Sequence, residues 1–383
     1  MTMKKVICTA VSLLLLCGCS VPMQNSLATA AQTTQQTTVE TTQPPPPDPI
    51  ELLLDSMTTQ ELIGQLFLIR YPGDDAALEA ITQYHVGSFL LFAKDFEAET
   101  PHGISAKLSG LQALSRIPLI FAVDEEGGSV TRISCHSQYR SSRFSSPRKL
   151  YNDGGIQTLL DTEKEKCQLL RSLGLNVNLA PVCDIATQKT AFMYSRSLRQ
   201  SPQDTASIIA QTVQLMQQEQ IGGVLKHFPG YGNNTDTHTD TAVDDRSLQE
   251  LEGCDLVPFR AGIDAGCGAI LISHTIVSCF DSEKPASLSP AVLNYLRTQM
   301  GFNGVAVTDD LVMDAITDTY GAGEAAVLAV LAGNDLLCSS EYPIQYQAVL
   351  DAVTEGRISP ERIREAAGRV LRWKQRIGLT LPE

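Results

Sequence analysis

From residue 50 onward, short unbroken apolar runs alternate with longer stretches in which apolar residues recur every three or four positions. The runs lie at 66–70, 87–92, 118–124, 175–184, 223–227, 269–274, 305–310 and 335–338. Near-continuous apolar runs of this length read as strands covered on both faces, and therefore as parallel strands. Between them, Ala206, Ile209, Ala210, Val213 and Met216 keep helical spacing across 204–220. A last helix is predicted with Ser359 as N-cap and Pro360 in its first turn, running through Ile363, Ala367, Val370 and Leu371. Eight β-runs alternating with helices predict an α/β fold, a single (β/α)8 TIM-type barrel rather than an open sheet. The barrel is placed at 50–383, a length that suits a fold needing about 250 residues and tolerating insertions.

The residues before 50 follow neither period. Residues 1–18 carry Lys4 and Lys5 and then an apolar run over 6–17, the pattern of a secretory signal and short of the ~20 residues of a membrane span. A retained membrane anchor is the other reading. The sequence Leu16-Cys17-Gly18-Cys19 is similar to a bacterial lipobox. That similarity implies cleavage before Cys19 and lipid on its sulfur, holding the chain on the extracellular face of the bacterial cell membrane. Residues 19–49 are rich in Thr, Gln, Ala and Ser and close with PPPPDP. Such a segment has too little apolar surface to offset ordering and reads as a disordered tether.

Charge and cysteines exclude several classes. The net charge is -14, more negative still once Lys4 and Lys5 leave with the signal, and no basic cluster is present, so nucleic acid is excluded as a partner. Beyond residue 19 the cysteines are Cys135, Cys167, Cys183, Cys254, Cys267, Cys279 and Cys338, odd in number and without a CxxC pair. A disulfide scaffold or zinc ribbon is disfavoured, and most are read as small buried hydrophobes.

Chemistry concentrates where strands end. Reading the ends off gives Arg70, Asp124, Asp184, Lys226 with His227, Ser273 with His274, and Asp309 with Asp310. In a parallel barrel these ends share one rim, where active sites are built. Each has a plain alternative as helix cap, turn residue or satisfied core histidine; six polar ends among eight apolar strands favour a site. The densest stretch is 226–240, KHFPGYGNNTDTHTD. Its Asp236 and His238 are spaced to form a proton-transfer dyad, and Asp309 or Asp310 could act as nucleophile or base. No GxSxG elbow and no GxxxxGK loop occurs. A metal set of His227, Asp236, His238 and Asp240 is conceivable, but Lys226 beside His227 and the lack of an HxH pair argue against it, so no metal and no cofactor is expected.

Five segments in order resemble glycoside hydrolase family 3, in its β-N-acetylglucosaminidase branch. They are DEEGG with Arg132, LAPVCDI with Ser195-Arg196-Ser197, KHFPGYG followed by DTH, PASLSP, and GFNGVAVTDDLVMDAI. The resemblance runs over about 52–378. It implies Asp309 as nucleophile of a covalent glycosyl-enzyme, with net retention. It further implies His238 as acid/base oriented by Asp236, and Asp124, Arg132, Arg196, Lys226 and His227 as the grip on a terminal N-acetylglucosamine. A near-neutral imidazole can give a proton to the leaving oxygen and later take one from water.

Two departures stand out: the loop over 232–236 is one residue shorter than the commonest form, and Tyr231 replaces a frequent histidine. The chain stops soon after the last helix, so no C-terminal sandwich domain is expected to supply a carboxylic acid/base. The reading is an exo-acting, cofactor-free β-N-acetylhexosaminidase, a monomer acting on cell-wall muropeptides or chitin-type oligosaccharides. Its acid/base loop is expected to dock on bound sugar. A phosphorylase on the same site, a non-catalytic sugar-binding lipoprotein and a metal-dependent amidohydrolase are the alternatives.

Overall fold

The computed structural model describes residues 48–234 and 242–382; the expected signal, Cys19 and most of the tether lie outside them. Within the unit formed by residues 47–383, eight parallel strands form one sheet. These are β1 (Phe67–Arg70), β2 (Ser88–Leu91), β3 (Ile120–Val123), β4 (Val177–Asn178), β5 (Gly222–Phe228), β6 (Ala269–Ile272), β7 (Val305–Thr308) and β8 (Leu337–Ser339). Their spatial order is β8, then β1 to β7 in sequence. A bridge between Val307 and Leu336, with Thr308 N–H donating to the Leu336 carbonyl at 3.0 Å, brings β7 back to β8 and closes the barrel. All eight predicted runs overlap a barrel strand.

One run is mostly not strand. The ladder of β4 stops at Asn178 and resumes only as a bridge from Val182 to Lys226, because Pro181 has no N–H to give a neighbour. Two further two-residue strands, Val243–Asp244 and Ile276–Val277, pair with each other outside the barrel.

The interior is filled by alternate residues of the strands, among them Leu68, Leu90, Ile120, Val177, Val224, Leu271, Val305 and Val307. The helix Pro360–Arg376, capped by Ser359 with Pro360 in its first turn as expected, covers the end of the barrel where the strands begin. Its Trp373 lies so close to Gly268 that a Cβ there would come within 2.5 Å of the indole. Lys374 is wholly buried and donates to Gln65 Oε1 at 2.7 Å and the Gly87 carbonyl at 3.0 Å. Burial pushes its ammonium down to about 7. Buried Asp335 receives Arg297 and, from the same helix as Lys374, Arg362 and Arg369. The helix Pro49–Asp55 is fastened to the same element, Arg364 to Glu51 at 2.8 Å and Arg372 to Asp48 at 3.0 Å.

Cys167, Cys183, Cys267 and Cys338 are buried, Cys279 is exposed, and all seven cysteines of the described residues are free. No helix of the described residues is long and apolar enough to cross a membrane.

Candidate active site

A cavity of about 520 Å3 opens where the strands end. Leu90, Leu179, Leu271 and Cys338 supply apolar lining; Arg70, Asp124, Glu126, Arg132, Arg196, Lys226, His227, Asp309 and Asp310 supply the polar lining. Phe92 forms a wall on which two guanidiniums lie, Arg70 at 4.7 Å and Arg132 at 5.4 Å from the ring centre. Of the residues expected to grip a ligand, Asp124, Arg132, Arg196, Lys226 and His227 meet here, together with Asp309. Asp236 and His238 fall outside the described residues.

The cluster is built on a buried carboxylate that the sequence reading did not single out. Glu126, 3 % exposed, accepts Lys226 Nζ at 2.6 Å and Arg196 Nη2 at 2.6 Å on Oε1, and Arg196 Nε at 3.0 Å on Oε2. Lys226 also reaches Asp124 Oδ1 at 2.7 Å. Burial alone would raise the pKa of Glu126, but Lys226 and Arg196 outweigh it and hold the carboxyl well below the usual range. Burial likewise opposes charge on Lys226, and Asp124 with Glu126 reverses that. The cations are thus charged and oriented before any ligand arrives.

The loop after β3 sorts its two glutamates. The Glu125 carboxylate accepts the backbone N–H groups of Arg132 and Ile133, each at 2.7 Å, and the Ser134 hydroxyl, folding the loop back on itself. Gly127 makes this turn at φ 100°, where a Cβ would lie 2.4 Å from the Ser145 carbonyl oxygen. Glu126 is left facing the cavity. The signal available in the sequence was the family's D-x-E-G-G pattern, which leaves position 125 open and fixes 126 as Glu.

His227 is set by two neighbours. Asp184 Oδ2 lies 2.7 Å from Nδ1 and also accepts the His227 N–H at 3.1 Å, while Oδ1 accepts Tyr231 N–H at 2.8 Å. Arg196 Nη2 donates to Nε2 at 3.2 Å. An ionised carboxylate only accepts and a guanidinium only donates, so one neutral tautomer, with the proton on Nδ1, satisfies both. Its Nε2 lone pair is directed at Arg196, which suits holding a guanidinium better than donating a proton. Tyr231, buried at the place of the frequent histidine, stands edge-on to this ring at 5.3 Å. Asp184, a strand-end residue given no role from sequence, braces the cavity from behind.

Asp309 and Asp310 differ in surroundings. Asp310 Oδ2 is taken by Arg70 Nε at 3.0 Å and Ser340 Oγ at 2.8 Å, and Oδ1 by Val312 N–H at 3.3 Å. Asp309 Oδ1 accepts the Asp310 N–H at 2.9 Å, and both residues line the cavity. Behind them His274, fully buried, bonds Ser287 Oγ at 2.7 Å and the Asp310 carbonyl at 3.0 Å, the satisfied core histidine that was its plain alternative. Beyond β5, Gly230 at φ 118° is packed so that a Cβ would meet Asp255 at 2.6 Å. Among the described residues no group of three His, Cys, Asp or Glu is arranged to hold a metal ion.

Residues 58–373 match the Glycosyl hydrolase family 3 N terminal domain. The chain is 27 % identical over 328 residues to Beta-hexosaminidase LpqI of Mycobacterium tuberculosis, covering 83 % of each chain. The solved structure of that protein superposes with a TM-score of 0.77 over 85 % of this chain and 96 % of that one. A Beta-hexosaminidase of Stenotrophomonas maltophilia is 34 % identical over 269 residues, 67 % of this chain and 77 % of that one. A family 3 beta-N-acetylglucosaminidase from Paenibacillus sp. superposes with a TM-score of 0.80 at 31 % identity, over 86 % of this chain and 66 % of that longer one.

Proposed function

The chain belongs to glycosyl hydrolase family 3, and from that premise we propose that it is an exo-acting, retaining β-N-acetylhexosaminidase. It releases terminal β-linked N-acetylglucosamine from cell-wall muropeptides or chitin-type oligosaccharides, without a cofactor. The observation that carries the reading is the convergence of Asp124, Arg132, Arg196, Lys226, His227 and Asp309 on one cavity, together with relatives named as hexosaminidases.

In this reading Asp124, Arg132, Arg196, Lys226 and His227 hold the sugar. The Asp309 carboxylate attacks the anomeric carbon as the glycosidic C–O bond breaks and His238, oriented by Asp236, gives its proton to the leaving oxygen. Water then gives a proton to the same imidazole and attacks the anomeric carbon, freeing Asp309. The preference for Asp309 over Asp310 is what the family resemblance implies, Asp309 being the first aspartate after Thr308. Attachment through lipid on Cys19, outside the cell membrane, completes the proposal, and the working unit is a monomer.

Hydrolysis of an aryl N-acetyl-β-glucosaminide by wild type and Asp309→Ala, with the first-formed sugar anomer read by NMR, tests it. Activity is expected in wild type alone, with the β-anomer appearing first. Equal rates would remove Asp309 from the mechanism, and an α-anomer would remove retention.

A further inference from the structure

Behind the cavity, on the helical segment Pro147–Ser172 beyond its break at Gly154 and Gly155, lies an ion pair that the catalytic scheme does not use. Lys166 and Glu163 are 2 % and 6 % exposed, with Lys166 Nζ 2.6 Å from Glu163 Oε2. The same ammonium donates to the backbone carbonyl of Glu126 at 3.2 Å and stands 5.8 Å from the centre of the Phe144 ring. A separate void of about 30 Å3 borders Glu126, Glu163, Lys166 and Arg196, so no thick packed layer separates the pair from the cluster in front.

A buried pair is a poor way to stabilise a helix against a barrel, since desolvating two charges costs several kcal/mol and apolar residues of similar volume commonly do as well. What apolar residues could not supply is an N–H for the Glu126 carbonyl. The Glu126 carboxylate must meet Lys226 and Arg196 together, at 2.6 Å each, and rotation of the peptide from which it projects would misplace both contacts. Binding groups need to be held to within about 0.5 Å.

We propose that Lys166, held by Glu163, is a positioning residue that fixes the Glu126 peptide and, through it, the Lys226 and Arg196 grip on the sugar. The inference rests on the hexosaminidase reading above. It acts on groups that contact the substrate alike in ground and transition states, so its loss raises KM more than it lowers kcat.

The test compares wild type, Lys166→Met and the double variant Lys166→Met/Glu163→Leu, which avoids a lone buried carboxylate. Each is assayed with an aryl N-acetyl-β-glucosaminide, alongside calorimetric titration with N-acetylglucosamine and a thermal melt. In both variants KM is expected to rise about 5- to 20-fold and the sugar's Kd in parallel, with kcat changed less than about threefold. A folded double variant whose KM and Kd stay within about twofold of wild type overturns the positioning role. A double variant that does not fold also overturns it, by making the pair a requirement of the fold. Wild type that neither hydrolyses the glycoside nor binds the sugar is a different failure, which removes the functional reading itself and this inference with it.

Discussion

His227 Nδ1 lies 2.7 Å from Asp184 Oδ2, and this contact decides which ring nitrogen meets Arg196. Because the carboxylate also holds the backbone N–H groups of His227 and Tyr231, three donors depend on one acceptor. Asp184→Asn replaces part of that acceptor by an NH2 group that faces donors. A buried hydrogen bond to a charged group contributes about 1.5–3 kcal/mol, so kcat/KM is expected to fall roughly 10- to 100-fold. Nitrogen NMR of the ring should show the Nδ1–H tautomer in wild type; finding the proton on Nε2 would refute the arrangement.

The two adjacent aspartates should separate sharply. Asp309→Asn is expected to reduce kcat by roughly 1,000-fold or more, as loss of a covalent nucleophile does. Asp310→Asn, which loosens contacts to Arg70 and Ser340, should cost about tenfold or less. Single-turnover rates on an aryl glycoside decide between them, and a reversed order would transfer the nucleophile to Asp310.

Lys374 makes the stability of the barrel depend on pH in an unusual direction. Its ordinary pKa of 10.5 falls to about 7 in the fold, so between those values the unfolded chain binds more protons and native stability rises with pH. Below about pH 7 the penalty is full and constant. Lys374→Met removes it but leaves Gln65 Oε1 and the Gly87 carbonyl without their donor, a loss of about 1–2 kcal/mol. The variant is expected to be more stable than wild type by roughly 1–3 kcal/mol at pH 6, an advantage that shrinks toward pH 10. Urea titrations at several pH values measure this; an advantage that grows with pH would contradict it.

Asp335 is the shared ion-pair partner of three guanidiniums at the end of the barrel where the strands begin. Asp335→Asn leaves Arg297 without its carboxylate and Arg362 and Arg369 with Glu365 alone, and removing one partner of a buried ion cluster costs about 3–5 kcal/mol. Chemical denaturation should show that loss while KM of the folded fraction stays at its wild-type value. A changed KM would mean that end communicates with the cavity.

The barrel could be read from sequence because each strand is an apolar run covered on both sides, a pattern that survives without knowledge of any partner. The run at 175–184 misleads in extent, since apolarity persists through Pro181 while the ladder does not. Val243–Asp244 and Ile276–Val277 are too short to carry any period. Strand ends located the cavity, and Arg70, Asp124, Lys226, His227 and Asp309 line it. Asp184 and His274 stand behind it, because a polar strand end can brace a neighbour as readily as face a ligand. Glu126 stood at the fixed position of the D-x-E-G-G pattern but was given no role, since its contacts to Lys226 and Arg196 come from strands and loops far apart in sequence. The division of labour between 226–227 and 236–238 rests on residues the structure describes for its first half alone.

The ion pairs from Arg364 and Arg372 to Glu51 and Asp48 fix where the polypeptide joins the barrel. Arg372 adjoins Trp373, which packs where the strands begin, so the chain enters at the pole opposite the cavity mouth. Asp48, the first of the described residues, is thus held at the end of the barrel away from the mouth.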